Sequence, residues 1–264
     1  MGKNILEINR ETLRNNLRIL RDVANGAKIC FPVKANAYGH GLELIVRNTY
    51  DLVDYFAVAN VWEAVRAHTE SQSKPILIFG AIEYDFIKDI LDKDFIVSIQ
   101  HLSDITKLEE FAKKHSKKIK AHINVNTGMN RMGVDFDGYK DVIRIANESR
   151  YIELLGVYSH FACADNKDHP ANKKQIQRFK EIESFAKKID KSIICHLANS
   201  YGLVGQDDIT FDMVRPGIIT YGHLPYFYVE RNVREIKPIA KLVSEVAKII
   251  ELDENDGVGY SLIY

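Results

Sequence analysis

IELLGVYSHFACADNKDHPANKKQIQRFKEIESFAKKIDKSIICHLANS (152–200) holds the unit from which the fold follows. It opens on an apolar, β-rich run, IELLGVYSH (152–160), and closes on another, SIICHLA (192–198). Between them Ile176, Phe179, Ile182, Phe185 and Ile189 recur at the three-to-four-residue spacing of one helix face. A strand, a helix and a second strand in this order make a right-handed crossover between parallel strands.

The same alternation extends in both directions. KICFPV (28–33), YFAVAN (55–60), PILIFG (75–80), FIVSIQ (95–100) and KAHINV (120–125) come before it, and DMVRPGI (212–218) follows. Leu13, Leu17, Leu20 and Val23 line a helix face ahead of the first of these runs. The class is α/β, and about eight strands within roughly 190 residues predict a closed (β/α)₈ TIM barrel. A doubly wound open sheet is the alternative, but no GxGxxG follows any of the runs. After Gly222 the alternation stops, and PIAKLVSEVAKIIELDENDGVGYSLIY (238–264) reads as extended segments joined by a turn at Asp253–Gly257. The expected division is a barrel over 10–224 and the beginning of a β-rich C-terminal domain over 225–264, joined by a strand from 3–9. Two or three strands cannot bury a core of their own, so this domain is expected to be truncated and the chain to be a fragment.

Composition narrows the function. The chain has 264 residues, with 36 Lys+Arg against 36 Asp+Glu, and lacks the basic excess of a nucleic-acid binder. The Lys107–Lys120 charge run reads as a solvated helix face. Hydrophobic residues make up 46%, ample for a buried core. Cys30, Cys163 and Cys195 form an odd set without a CxxC pair, which suits a reducing, cytoplasmic setting. The opening MGKNILEINRETLRNN has no apolar core of a signal peptide, and no run of 18 apolar residues implies a membrane span. No metal site is expected.

Barrels of this kind place their chemistry at the C-terminal ends of the strands. The first strand ends in Lys34, followed by ANAYGHG (35–41); the fifth runs into NVNTGMNR (124–131). The sixth ends in His160, the seventh in Asn199 and Ser200, and the eighth in Arg215, Gly217 and Ile218. Singly, each has a plain reading: a snorkelling lysine, a buried histidine, a helix N-cap. Together, polar groups from at least five strands converge on one mouth. The loops after strands seven and eight are the usual phosphate site of this fold, and a helix start there attracts anions. A lysine facing a phosphate cradle suggests pyridoxal phosphate held as a Schiff base.

PVKANAYGHG (32–41) closely resembles the pyridoxal-phosphate attachment motif of the alanine racemase family. NVNTGMNRMG (124–133), GVYSHFACAD (156–165), HLANS (196–200), MVRPGIITYG (213–222) and GVGYSLIY (257–264) resemble further blocks of that family, in its order. The resemblance implies an N-terminal barrel, a C-terminal β-domain, a head-to-tail homodimer, and interconversion of L- and D-alanine for cell-wall peptidoglycan. It implies that Lys34 holds the cofactor and acts as base on the D-side of Cα. Tyr260 resembles the opposite-face base, which reaches the partner subunit's cofactor. Tyr38, Asn199, Ser200, Gly217 and Ile218 match phosphate-contacting positions. Arg215 matches the position facing the pyridine nitrogen, with His160 supporting it. Related barrel decarboxylases place a carboxylate where Arg215 stands. Arg131 matches the residue that binds the cofactor's phenolic oxygen and the substrate carboxylate. Asn124 departs from the pattern: many members carry a carbamylated lysine there, so a bound anion such as chloride is expected near Asn124 and Arg131. Similar substitutions occur in serine and broad-specificity racemases, which are one alternative; a non-catalytic, single-barrel cofactor carrier is the other, and would not need Tyr260.

Overall fold

The computed structural model describes residues 4–207, 209–224 and 233–262. Among these, the strands are β1 (Ile5–Ile8), β2 (Lys28–Pro32), β3 (Tyr55–Val58), β4 (Ile76–Ile78) and β5 (Val97–Ile99), then β6 (Ile119–Asn126), β7 (Val134–Asp135), β8 (Ile152–Tyr158), β9 (Ile194–His196), β10 (Met213–Val214) and β11 (Ala240–Val243). Parallel pairing joins β10, β2, β3 and β4 in one arc and β5, β6, β8 and β9 in another, with β7 alongside β6. Backbone bonds close the two arcs into a ring. Ile78 N donates to Ile96 O at 2.8 Å and Ile96 N to Ile76 O at 2.9 Å, while Arg215 N donates to Ala198 O at 2.9 Å. The ring is the expected eight-stranded barrel, each strand lying inside one of the eight apolar runs except β6, which exceeds the run 120–125 by one residue at each end.

Two apolar layers hold it. Inside the lower barrel, Cys30, Ala57, Leu77, Ile96 and Met213 pack together. Outside, the helices cover the strands. The helix Arg10–Val23 buries Leu13, Leu17 and Leu20, and the helix Pro170–Ile189 buries Phe179 and Ile182. The run Lys107–Lys120 lies largely in the helix Leu102–His115, whose inner face buries Ile105, Leu108 and Ala112. All three cysteines are free, and no helix of the described residues is long and apolar enough to cross a membrane.

β1 pairs antiparallel with β11, Ile5 opposite Val243 through Ile8 opposite Ala240. The extended reading of 238–264 is met only over β11. Beyond Val243 no strand pairs with the chain among the described residues, so no ladder holds it extended, and Val246, Ile249 and Ile250 stand open to solvent. Residues 225–232, the start of the expected second domain, lie outside the described residues.

A buried amide ties the first helix to the segment preceding β11. Asn16 Nδ2 donates to Thr220 O (3.0 Å) and Lys237 O (2.8 Å), and Lys237 N donates to Asn16 Oδ1 (3.2 Å). Asn16→Leu strands these partners and lowers stability by about 2–4 kcal/mol, at about 1–3 kcal/mol per unsatisfied buried group. Urea unfolding checks this; an unchanged midpoint would show that the clamp contributes nothing.

Candidate active site

Lys34 follows the end of β2, and the backbone after it turns left-handed. Ala35, Asn36 and Ala37 have φ of 53–54° and ψ of 46–50°, and Tyr38 continues at φ 53°. L-residues resist this conformation by about 1–2 kcal/mol each, so the surroundings must impose it. Asn36 N donates to Glu63 Oε1 (3.2 Å), and Asn36 Oδ1 accepts from Leu42 N (3.1 Å) and from the Arg66 guanidinium (3.2 Å). Glu63 is fixed in turn by accepting from Ala59 N at 2.9 Å. The turn folds Tyr38 back beside Lys34, whose Nζ lies 5.9 Å from the ring centre.

A cavity of about 270 Å³ opens at this end of the barrel, lined by Lys34, Tyr38, Arg131, His160, Asn199, Ser200, Arg215, Gly217 and Ile218, with Phe79 and Met132 as apolar wall. Nine of the ten residues singled out from sequence therefore share one cavity. The tenth, Tyr260, lies elsewhere and is fully exposed. At one end the loops after β9 and β10 interlock. Asn199 Oδ1 caps the helix Ser200–Gly205 by accepting from Gly202 N (2.9 Å), and Ser200 Oγ accepts from Gly217 N (2.9 Å). Gly217 has no room for a side chain, since a Cβ would lie 2.8 Å from the Tyr38 hydroxyl. Burial raises the Tyr38 pKa, which keeps its hydroxyl protonated.

Arg215 forms the floor. It is buried, and Nη2 donates to Ser159 O (2.6 Å) and Leu197 O (3.1 Å), while Nη1 donates to His196 O (3.0 Å) and His196 Nδ1 (2.7 Å). Its Nη2 also lies 3.4 Å from His160 Nδ1, and its Cζ lies 5.3 Å from the centre of the Tyr158 ring. These partners are carbonyls, imidazoles and an aromatic face rather than a carboxylate. Burial accordingly pulls its pKa down to about 10, still leaving it charged at neutral pH. Behind it, His196 Nε2 lies 2.8 Å from His122 Nδ1.

Burial first, and Arg215 second, hold His122 at about 3 and His196 well below 6.5. Burial followed by Arg215, Arg131 and Lys34 holds His160, which is partly open to the cavity, at about 3. All three are neutral at pH 7. The unfolded chain protonates them near pH 6.5 and the folded one does not until far lower. Their stabilisation is therefore full above about pH 6.5 and is lost as pH falls towards about 3. The slope is up to about 1.4 kcal/mol per pH unit for each of His122 and His196. Urea midpoints at roughly pH 7.5 and 5 check the sign; equal midpoints would mean that these imidazoles titrate normally.

At the opposite wall, Asn124 Nδ2 donates to Gln100 Oε1 at 2.8 Å. Arg131 is exposed, and among the described residues its guanidinium takes no hydrogen-bond partner. Sequence reading passed over His122, His196, Tyr158, Gln100 and Glu63. The first was within reach, because side chains two apart on a strand share a face: His122 lies one layer below Asn124. Glu63 was not, since only the folded turn brings it to Asn36.

A family model described as alanine racemase, N-terminal domain, matches residues 8–225. A curated alanine racemase of Francisella philomiragia is 59% identical over 261 residues, which is 99% of this chain and 71% of that protein. Among solved structures, an alanine racemase from Clostridium difficile superposes with a TM-score of 0.90 at 30% identity, over 99% of this chain and 69% of that one. An alanine racemase from Bartonella henselae with covalently bound pyridoxal phosphate superposes with a TM-score of 0.80 at 26% identity, over 90% and 68%.

Proposed function

The chain belongs to the alanine racemase family, and from that premise we infer that it interconverts L- and D-alanine with pyridoxal phosphate, in the cytoplasm, making D-alanine for cell-wall peptidoglycan. The observation that carries this is the single cavity in which Lys34, Arg215, Arg131 and the Ser200–Gly217 cradle meet.

The residues present fit the cofactor. The hydroxyls of Tyr38 and Ser200, the start of the helix Ser200–Gly205 and the side-chain-free Gly217 suit a phosphate. The volume lies near the lower end of ligand pockets. Bound pyridoxal phosphate supplies a sink for the electron pair left when the α-proton of an amino acid is removed. Lys34 would hold the cofactor and, once displaced by the substrate's amine, its freed Nζ would take or return the proton at Cα on the face used by D-alanine. Arg215 offers only donors, so it would leave the pyridine nitrogen of a bound cofactor unprotonated. That makes a weaker sink than a carboxylate partner would, and favours returning the proton over losing the carboxylate. His160 leans on Arg215 from the cavity side. Arg131, with its donors free, binds the substrate carboxylate and the cofactor's phenolic oxygen through charge-assisted bonds.

Racemisation needs a second base on the opposite face. That base is Tyr260 of the partner subunit in a head-to-tail homodimer, since Tyr260 is fully exposed and does not line the cavity of its own chain. The exposed apolar residues Val246, Ile249, Ile250 and Leu252 supply surface for the same contact. The 225–264 segment belongs with β1 to the start of a β-domain apart from the 10–224 barrel.

NMR of cofactor-loaded protein with L-alanine in D₂O tests the reaction. Loss of the Cα proton together with the appearance of D-alanine is the expected result; no exchange would leave a cofactor-binding barrel. Serine and lysine, run alongside, should turn over more slowly, in line with the curated relatives' name.

An anion such as chloride lodges between Asn124 and Arg131, because asparagine brings no negative charge to orient the guanidinium. Replacing chloride with a bulky organic anion at constant ionic strength should raise the KM for alanine several-fold, about 1 kcal/mol of lost charge-assisted bonding. An identical KM in both salts would remove the anion from the site.

A further inference from the structure

Beneath Arg215 a chain of two imidazoles ends on a donor with nothing to donate to. A guanidinium carries donors only, so at the 2.7 Å contact with Arg215 Nη1 it is His196 Nδ1 that accepts. The single proton of neutral His196 then sits on Nε2, and at 2.8 Å it is donated to His122 Nδ1. His122 must therefore carry its own proton on Nε2. That atom is fully buried and has no hydrogen-bond partner among the described residues. Leaving such a group unpaired is unfavourable, and the other tautomer of His122 would set two N–H groups against each other. Space for the ring is built into the neighbouring strand: a Cβ at Gly156 would lie 2.6 Å from His122 Cε1 and 2.7 Å from Nδ1. Mere filling of this volume would need no imidazole and no orphaned donor.

We propose that His122 is a positioning residue for the reaction: by accepting the His196 Nε2 proton it holds His196 as an acceptor towards Arg215, and so keeps the guanidinium aimed at the cofactor's pyridine nitrogen. The inference rests on the cofactor reading above. Burial and the nearby Arg215 charge keep His122 neutral, which its acceptor role requires. Tyr158 stacks on His196 at 4.9 Å with rings 15° apart, so the imidazole cannot swing out to find another partner.

Long-range ¹H–¹⁵N NMR of the unloaded protein tests the tautomers without involving substrate or cofactor. The expected spectrum places the protons of both His196 and His122 on Nε2. A proton on Nδ1 of either residue overturns the proposal even if racemisation is confirmed, and this measurement decides should every variant fail to fold. In the loaded protein, His122→Leu removes the acceptor. It should release His196 into mixed tautomers, shift the pH midpoint of the cofactor's visible absorption band, and lower kcat on the order of tenfold or more with KM little changed. His122→Asn keeps an acceptor oxygen near the Nδ1 position and should restore the band and most of kcat. If His122→Leu leaves His196 and the band as in the parent, or if asparagine behaves like leucine, hydrogen bonding by His122 is not what positions Arg215.

Discussion

Mixing the Lys34→Ala and Tyr260→Phe chains restores racemisation that neither variant shows alone. On the proposed reading each single variant lacks one of the two proton-transfer groups and should fall by about 10²–10⁴-fold. In a head-to-tail dimer each site takes Lys34 from one chain and Tyr260 from the other. A mixed dimer therefore has one site with both groups and one with neither. Random reassortment after co-expression gives half mixed dimers and about a quarter of the parent activity. The structural reason is the placement of Tyr260, fully exposed and outside the cavity that gathers the other nine residues. A mixture no more active than the sum of its parts would mean that Tyr260 serves its own chain or no site at all.

Arg215→Leu unfolds the protein far more readily. Arg215 satisfies the carbonyls of Ser159, His196 and Leu197 and the Nδ1 of His196 from inside the barrel. Removing it orphans the carbonyls of Ser159 and Leu197 and the Nδ1 of His196 where water does not reach, while His196 O keeps its bond from Ser159 N, and the loss should be about 3–5 kcal/mol. For a chain of this size that lowers Tm by about 6–20 °C. Arg215→Lys should recover only part, since a point-like ammonium cannot span partners arranged around a planar fork. Thermal unfolding of the unloaded proteins separates this from cofactor loss. A Tm within two degrees of the parent would show that the carbonyls find other partners, and that arginine stands there for chemistry alone.

The barrel was legible because its strands are buried on both faces and so appear as short apolar runs between helices of clear period. Every barrel strand falls on such a run, β6 exceeding its run by one residue at each end. The mouth was legible for the same reason, since the polar residue ending each run had to lie at one rim. What stayed hidden depends on contacts between strands distant in sequence. His122 and His196 meet across 74 positions, and each alone reads as an ordinary core histidine. The segment after Val243 shows the reverse failure: its residues favour extended structure, but a strand needs a neighbour to pair with, and propensity carries no information about whether one is present.

The left-handed turn after Lys34 was invisible as well, because alanine and tyrosine are among the last residues a reader would place there. Its geometry has a mirror-image consequence. A backbone at φ and ψ near +50° is, for a residue of opposite handedness, the ordinary right-handed helix reflected, with no clash to overcome. The chain therefore holds Ala35 and Ala37 in the conformation that D-alanine adopts most readily. A protein assembled by chemical ligation with D-alanine at both positions would keep the hydrogen bonds of Asn36 and Glu63 while shedding about 1–2 kcal/mol of strain per residue. The segment that carries Lys34 is shaped to accept, as building blocks, the enantiomer that its lysine is proposed to help make.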